Sequence, residues 1–444
     1  MESNERSDQH HSPSSTKLRR GSSLVSPLVV SSRWTLVAAL MVLLFIGATM
    51  LSVTSSLSLY PVSVSAYFFA FVPPATLVVP PTAPPPGADV ARLAYLISGS
   101  KGDLEQLWRT LHALYHPRNL YVLHLDLESS ADDRLELAAR VGNSTVFRRV
   151  GNVEVVRRAN MVTYRGPTMV SNTLHACAML LHRSRDWDWF INLSASDYPL
   201  MTQDDILHVF STLPRNVSFM EHTSKLGWKA DVRGRRVIVD PGLYMSKKQD
   251  LFTVSPAREL PTAFKLYTGS AWTALTREFV EHAVWAWEDN LPRTLLMYYT
   301  NFASSPEFYF QTLLCNTPRF VPTVANHDLH HIQWGVPPGQ HPVTLQLADK
   351  DSMVASDAPF ARKTARDDPL LDTIDADLLL GRGRKNGTAG MFVPGGWCGE
   401  RGDCGAAAGS VDDWVLRPGP GAVRLGRLMD RIVRSEAFAK SQCK

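Results

Sequence analysis

Short apolar runs alternate with segments whose apolar residues recur every three or four positions, and this pattern begins near residue 92. Arg92 to Ile97 (RLAYLI) has the length of a buried strand, and Leu104, Leu107, Trp108, Leu111 and Leu114 follow at helical spacing. Leu120 to Asp126 (LYVLHLD) reads as a second strand. Ser130-Ala-Asp-Asp133 then caps a helix through Val141, the Ser oxygen serving a free backbone N–H. Val153 to Arg158 is a short strand. Gly166-Pro167 opens a helix to about Arg183, with proline in the first turn, where a missing N–H costs nothing. Trp189 to Ser194 (WFINLS) is another buried strand, and Thr202-Gln-Asp-Asp205 caps a further helix. This order predicts an α/β body with a central, mostly parallel sheet, helices on both faces, and a ligand site beyond the carboxyl ends of the strands.

After residue 216 the alternation decays into a basic stretch (Lys225 to Lys248) and a Trp-bearing segment, Gly269-Ser-Ala-Trp272. A helix is expected from about Arg277 to Trp287, and another begins at Ser304-Ser-Pro-Glu307. From Gly381 to about Pro420 the chain is glycine-rich and irregular, and Val423 to Phe438 reads as a last amphipathic helix.

The N-terminal part has a different character. No charged residue occurs between Trp34 and Ala88, and Thr35 to Val53 is an apolar run close to the roughly 20 residues that cross a bilayer. Lys17, Arg19, Arg20 and Arg33 precede it, and no Lys or Arg follows until Arg92, which orients the N-terminus to the cytosol. The expected organisation is a cytoplasmic tail (1–33), a signal anchor (34–56) and a Pro-rich stem (57–90). A catalytic body (91–380) follows, then an irregular segment with a helix packed on that body (381–444). A cleaved signal peptide, or a second span over Tyr60 to Val79, is the alternative; Pro73 and Pro74 oppose the latter.

Composition removes other classes. The 444 residues carry 46 basic and 42 acidic side chains, a formal charge of +4, so the chain is no polycation and nucleic acid is not an expected partner. Five cysteines without a close C-x-x-C pair exclude a disulfide-stapled miniprotein and suggest no zinc site. Two strand ends carry candidate chemistry: the glycine-containing turn Ser98-Gly-Ser-Lys-Gly102, and Asp126, an acid where a nucleoside would sit.

Longer segments are more specific. YVLHLDLESS (121–130), TYRGPTMV (163–170), WDWFINLSASDYPL (187–200), GSAWTALTREFVE (269–281), residues 291–316 and APFARK (358–363) resemble the plant branch of the core-2/I-branching glycosyltransferases. That family also holds peptide O-xylosyltransferases, and the likeness is greatest to plant β-glucuronosyltransferases acting on arabinogalactan. The resemblance implies a GT-A-like body at the Golgi membrane, single-pass, with its catalytic part lumenal. It implies transfer of glucuronic acid from UDP-glucuronate to galactan side chains, inverting to a β linkage, without a Mn²⁺ cofactor. Asp126 looks like the uridine contact, Thr163, Tyr164 and Arg165 like the loop over the nucleotide, and Asp197 like a residue near the donor sugar. Glu307 matches the catalytic base, Trp334 an acceptor platform, and Arg362 with Lys363 the pair that holds the diphosphate. A second diphosphate-binding Arg of the animal enzymes falls near Val343 here, a departure that Arg362 would have to offset. A uronate carboxylate would want a cation, and Lys225, Lys229 and Arg233 are candidates.

A single carboxylate in the first turn of a helix would also be favoured there by the helix dipole, which lowers its basicity. Two Asp-x-Asp tripeptides, Asp186-Trp-Asp188 and Asp375-Ala-Asp377, lie where metal-held phosphates are not expected, and His327, His330 and His331 are too loosely spaced for a ligand set. No metal-binding residue is therefore assigned. Asn143, Asn216 and Asn386 are glycosylation sequons in expected loops, while Asn192 sits in a strand. Any two of Cys398, Cys404 and Cys443 could bridge, and Cys177 and Cys315 are expected to remain buried thiols. The rival readings are a peptide O-xylosyltransferase, an N-acetylglucosaminyl branching enzyme, and a silent lumenal scaffold.

Overall fold

β1 (Leu93–Gly99) sends Leu93, Tyr95 and Ile97 to one face and Ala94 and Leu96 to the other, as the two-residue period of a strand requires. Both sets are buried, so β1 lies at the centre of a sheet covered on both sides. The computed structural model describes residues 90–337, 341–379 and 418–444, with Met41 and Leu416 as isolated positions. The expected tail, anchor, stem and glycine-rich stretch, with Asn386, Cys398 and Cys404, lie outside the described residues. Among those described, no helix is long and apolar enough to cross a membrane.

The other strands are β2 (Leu120–Leu125), β3 (Val153–Val155), β4 (Trp189–Ser194), β5 (Asp197–Pro199), β6 (Ser218–Met220), β7 (Val237–Val239), β8 (Phe252–Val254), β9 (Thr273–Thr276), β10 (Val324–Ala325), β11 (His330–Ile332) and β12 (Phe360–Arg362). The main sheet has the order β10-β6-β9-β4-β1-β2-β3. β4, β1, β2 and β3 run parallel, and only β9 is antiparallel to its neighbours β4 and β6. This is the mixed α/β, mostly parallel sheet read from the alternation.

One face carries the helices Leu104–Leu114, Gln203–Ser211 and Pro420–Ile432, joined in a core around Tyr95, Trp189 and Phe210. The other carries Pro167–Arg183, Arg277–Trp285, Leu291–Tyr299 and Tyr309–Cys315, packed around Phe190, Phe279 and Tyr299. A small sheet, β11-β12-β5, flanks these layers, and its antiparallel register sets Arg362 opposite Asp197.

Two expectations are corrected. The last helix is two pieces, Pro420–Ile432 and Ala437–Ser441, with Pro420 at its opening turn. Cys315 is not a free thiol: it stands on the last turn of its helix and bridges Cys443, 128 residues away. Cys177 is the buried thiol expected. The His222 ring accepts the Cys443 amide at 2.8 Å, and Tyr267 donates its hydroxyl to the Cys443 carbonyl.

Asp205 fixes the C-terminal helix. Its carboxylate closes the capping box with Thr202 and also accepts the amides of Gly419 at 2.6 Å and Ala422 at 3.0 Å. A Cβ on Gly421 would lie 2.4 Å from that carboxylate and 2.6 Å from Met201 Cβ, so only glycine allows this approach. Gly421→Ala is expected to cost about 1–3 kcal/mol by overpacking. The denaturation midpoint should fall accordingly, and an unchanged midpoint would show that the helix does not depend on this contact.

Candidate active site

The carboxyl ends of β1, β2 and β4 open into a cavity of about 1580 Å³, where the strand order predicts a ligand. Its lining includes Asp126, Tyr164, Arg165, Glu307, Trp334, Arg362 and Lys363, so most of the sequence-derived site residues share one cleft. Thr163 and Asp197 do not line it.

At one end Asp126, 2% exposed, terminates β2. Its Oδ1 accepts the amides of Glu128 and Ser129, Ser100 donates to it from the β1 turn, and Lys248 Nζ lies 3.6 Å from Oδ2. Burial pushes the Asp126 carboxyl up, and the Lys248 ammonium and Ser100 hydroxyl oppose that shift.

The Thr163–Gly166 loop stands beside it. Asp240, wholly buried, accepts from the Thr168 amide, the Thr168 hydroxyl and the Gly242 amide, and so ties the start of the helix Pro167–Arg183 to the basic stretch. Thr163 is buried against that anchor, its amide donating to the Thr168 hydroxyl. Tyr164 projects into the cleft, stacked on His341 with ring centroids 5.2 Å apart. Arg165 adopts φ +60°, and its carbonyl accepts the Ser304 amide at 2.9 Å.

Arg362, at the end of β12, is held from three sides. It donates to Asp197 Oδ1 at 2.7 Å and to the Ser194 hydroxyl at 3.0 Å, and its guanidinium lies 4.1 Å from the Trp272 ring centroid. Asp197 is 0% exposed, with its second oxygen taken by the amide and hydroxyl of Ser194. Asp197 is thus buried behind Arg362 and orients it. Lys363, next in sequence, lines the cleft, and its ammonium has no hydrogen-bond partner among the described residues.

Glu307 closes the opposite end, and its setting also differs from expectation. Ser305–Glu307 form a single tight turn, Phe308 interrupts with φ −134°, and the α-helix begins only at Tyr309. The helix-dipole argument therefore does not apply. The neighbouring charges are side chains: Arg233 pairs with Oε2, and Lys229 Nζ lies 3.7 Å from the same oxygen. No described group hydrogen-bonds Oε1. The Glu307 carbonyl accepts the Gly269 amide at 2.9 Å, and a Cβ on Gly269 would come within 1.7 Å of the Glu221 carbonyl, which explains glycine in GSAW.

Some contributors were missed. Glu221 opens onto the cleft. Desolvation there, with the Asp328 and Glu307 carboxylates, raises its carboxyl. Lys248, Arg236 and Arg366 also reach the cavity, and of the described lining residues eight are Lys or Arg against four Asp or Glu. The basic stretch 225–248 was the visible signal, but nothing in its spacing said which members turn inward. Lys225 does not line the cleft, whereas Lys229 and Arg233 do. Trp334 is 51% exposed at the rim, and Trp228 is 64% exposed in the lining contributed by the basic stretch.

The remaining candidates fall elsewhere. Asp186 and Asp188 engage Arg92 before β4 begins, and Asp375 bonds Arg109 and Tyr198 while Asp377 pairs with Lys350. His327 and His330 each engage the local backbone through Nδ1. Asn143 and Asn216 are exposed, Asn143 at a helix end rather than in a loop, and Asn192 is buried and bonded to Thr273 and Ala271.

The family described as Core-2/I-Branching enzyme matches residues 93–354, a span that runs from β1 almost to β12. The β-glucuronosyltransferase GlcAT14A of Arabidopsis thaliana is 58% identical over 357 residues, 80% of this chain and 78% of that protein. GlcAT14C of the same plant is 47% identical over 355 residues, 80% of this chain and 86% of its own. Human xylosyltransferase 1 is 27% identical over 251 residues, 56% of this chain and 24% of that protein. The matched span contains Asp126, Glu307 and Trp334, and the chain belongs to the Core-2/I-branching enzyme family as a glycosyltransferase.

Proposed function

We propose that the cleft transfers glucuronic acid from UDP-glucuronate to galactan side chains of arabinogalactan proteins, with inversion to a β linkage. The observation that carries this reading is the presence of one unshared carboxylate oxygen, Glu307 Oε1, in the same cavity as Arg362 and Lys363. The donor follows from relatives at 47–58% identity that are named β-glucuronosyltransferases, and from two cations, Lys229 and Arg233, against the base.

In this mechanism the body is of GT-A type. The uridine lies at Asp126, and Tyr164 and Arg165 cover the nucleotide. Glu307 takes the acceptor proton as the acceptor oxygen attacks the anomeric carbon. The bond from that carbon to the β-phosphate breaks, and Arg362 and Lys363 take up the charge arriving on UDP. Charge-assisted contacts of this kind are strong enough to serve where other transferases employ a metal ion. Trp334 offers an apolar face to the acceptor sugar. Asp197 acts through Arg362.

Residues 34–56 anchor the enzyme in the Golgi membrane as a single-pass type II protein with the cleft in the lumen. The Cys315–Cys443 disulfide suits that oxidising compartment, and Asn143 and Asn216 are the surface sequons available there.

Full-length protein incubated with β-galactan oligosaccharides and a panel of UDP-sugars should incorporate glucuronate; xylose placed on serine would point to the peptide xylosyltransferases instead. Glu307→Gln should keep UDP binding and lose about 10²- to 10⁴-fold in turnover. Near-normal turnover would remove Glu307 from the role. Transfer should persist in EDTA, and loss restored by Mn²⁺ would overturn the cationic-side-chain account. Asp197→Ala should cost about 3–5 kcal/mol of stability by stranding the Arg362 charge, with weaker UDP binding measured by calorimetry.

A further inference from the structure

The corner around Glu307 gathers charges of both signs. Glu307 and Glu221 supply two carboxylates, and Lys229 and Arg233 supply two cations. Arg233 lies over the Trp228 ring, 5.3 Å from its centroid, and only 13% of its side chain is exposed. Tyr164 faces the same corner, and Asp328 lies behind Glu221. Lys229 is pulled below the usual ammonium range by burial, with Glu307 opposing that shift and Arg233 reinforcing it. One oxygen of the Glu307 carboxylate is thus engaged by the Arg233 guanidinium before any ligand arrives.

We propose that Arg233 couples the charge of the donor sugar to the strength of the base: the carboxylate of a uronate donor competes with Glu307 for the Arg233 guanidinium and thereby activates Glu307. The inference rests on the glucuronate reading and deepens it. Seating a uronate adds one more carboxylate to a corner holding two cations, so Arg233 must share its guanidinium between the donor and Glu307. That sharing loosens the Arg233–Glu307 pair as the acceptor arrives. A donor with a neutral hydroxymethyl group brings no such charge and leaves the Arg233–Glu307 pair closed.

The step balances. The acceptor O–H bond breaks, its proton passes to Glu307 Oε1, and the oxygen–carbon bond forms. The bond from the anomeric carbon to the β-phosphate oxygen breaks with its electron pair leaving on UDP, and Glu307 later returns the proton to water. Donor selectivity would then appear in kcat as well as in KM. The planar fork of Arg matters here, since it can hold two carboxylates during the exchange, which a Lys ammonium does with less geometric definition.

The test compares UDP-glucuronate with UDP-glucose on one galactan oligosaccharide, using full-length wild type, Arg233→Gln and Arg233→Lys. Wild type should favour glucuronate in kcat. Arg233→Gln should raise KM for UDP-glucuronate several-fold with its kcat little changed, while kcat with UDP-glucose rises several-fold, because the base is then released from its clamp whichever donor is bound. Arg233→Lys should keep the preference, narrowed. Equal losses with both donors, or a kcat with UDP-glucose that does not rise in Arg233→Gln so that the kcat preference stays intact, would overturn the coupling. UDP affinity reports folding in each variant; if Arg233→Gln loses it, the narrowing of preference in Arg233→Lys decides alone. Wild type that transfers a neutral sugar in preference to glucuronate would instead sink the donor reading, and the coupling with it.

Discussion

The ion pair between Asp197 and Arg362 is the contact on which the cleft depends. A carboxylate with no solvent exposure is tolerable only when its charge is met and its oxygens are filled, and here both conditions hold. The pair follows from strand register, since β5 and β12 run antiparallel with these two residues opposite each other. The Ser194 hydroxyl at the end of β4 and the Trp272 ring complete the frame. Elements distant in sequence thus meet at one guanidinium. Swinging that side chain away would leave the buried Asp197 charge without its cation, which holds the guanidinium in place from below.

A near-neutral chain can still hold a strongly polarised site. The formal charge of the whole molecule is +4, and the described cleft lining alone carries eight cations against four acids. Those charges are spread along the cavity rather than pooled. Lys363 is unpaired among the described residues, Arg362 is fixed from below, and Arg233 and Lys229 are committed to Glu307. A long anion entering the cleft would meet loosely held charge at Lys363 and tightly held charge at Arg233 and Lys229.

Much of this was legible in the sequence, for identifiable reasons. β1, β2 and β4 are continuous apolar runs with their chemistry at the carboxyl end, so period and position together gave Asp126 and the cleft. Thr202 and Asp205 declared a helix start through a local hydrogen-bond pattern. The errors came where long-range contacts decide. Glu307 looked like a helix-opening residue, but Phe308 leaves helical geometry and the helix starts one residue later. Cys315 has no sequence neighbour to mark its bridge to Cys443, and Asp197 became a buried partner only because β12 pairs with β5. Arg233 could not be ranked over Lys225 from spacing alone, because the segment between them folds into one wide turn that brings one inward and not the other.

The hydrogen bond from the Ser304 amide to the Arg165 carbonyl joins the loop of Tyr164 and Arg165 to the turn that carries Glu307. Main chain is bonded to main chain, with no side chain between to absorb a displacement. Any settling of that loop onto a bound nucleotide is passed directly to the carboxylate. The expected kinetic counterpart is compulsory order, the activated sugar entering first and the glycan second.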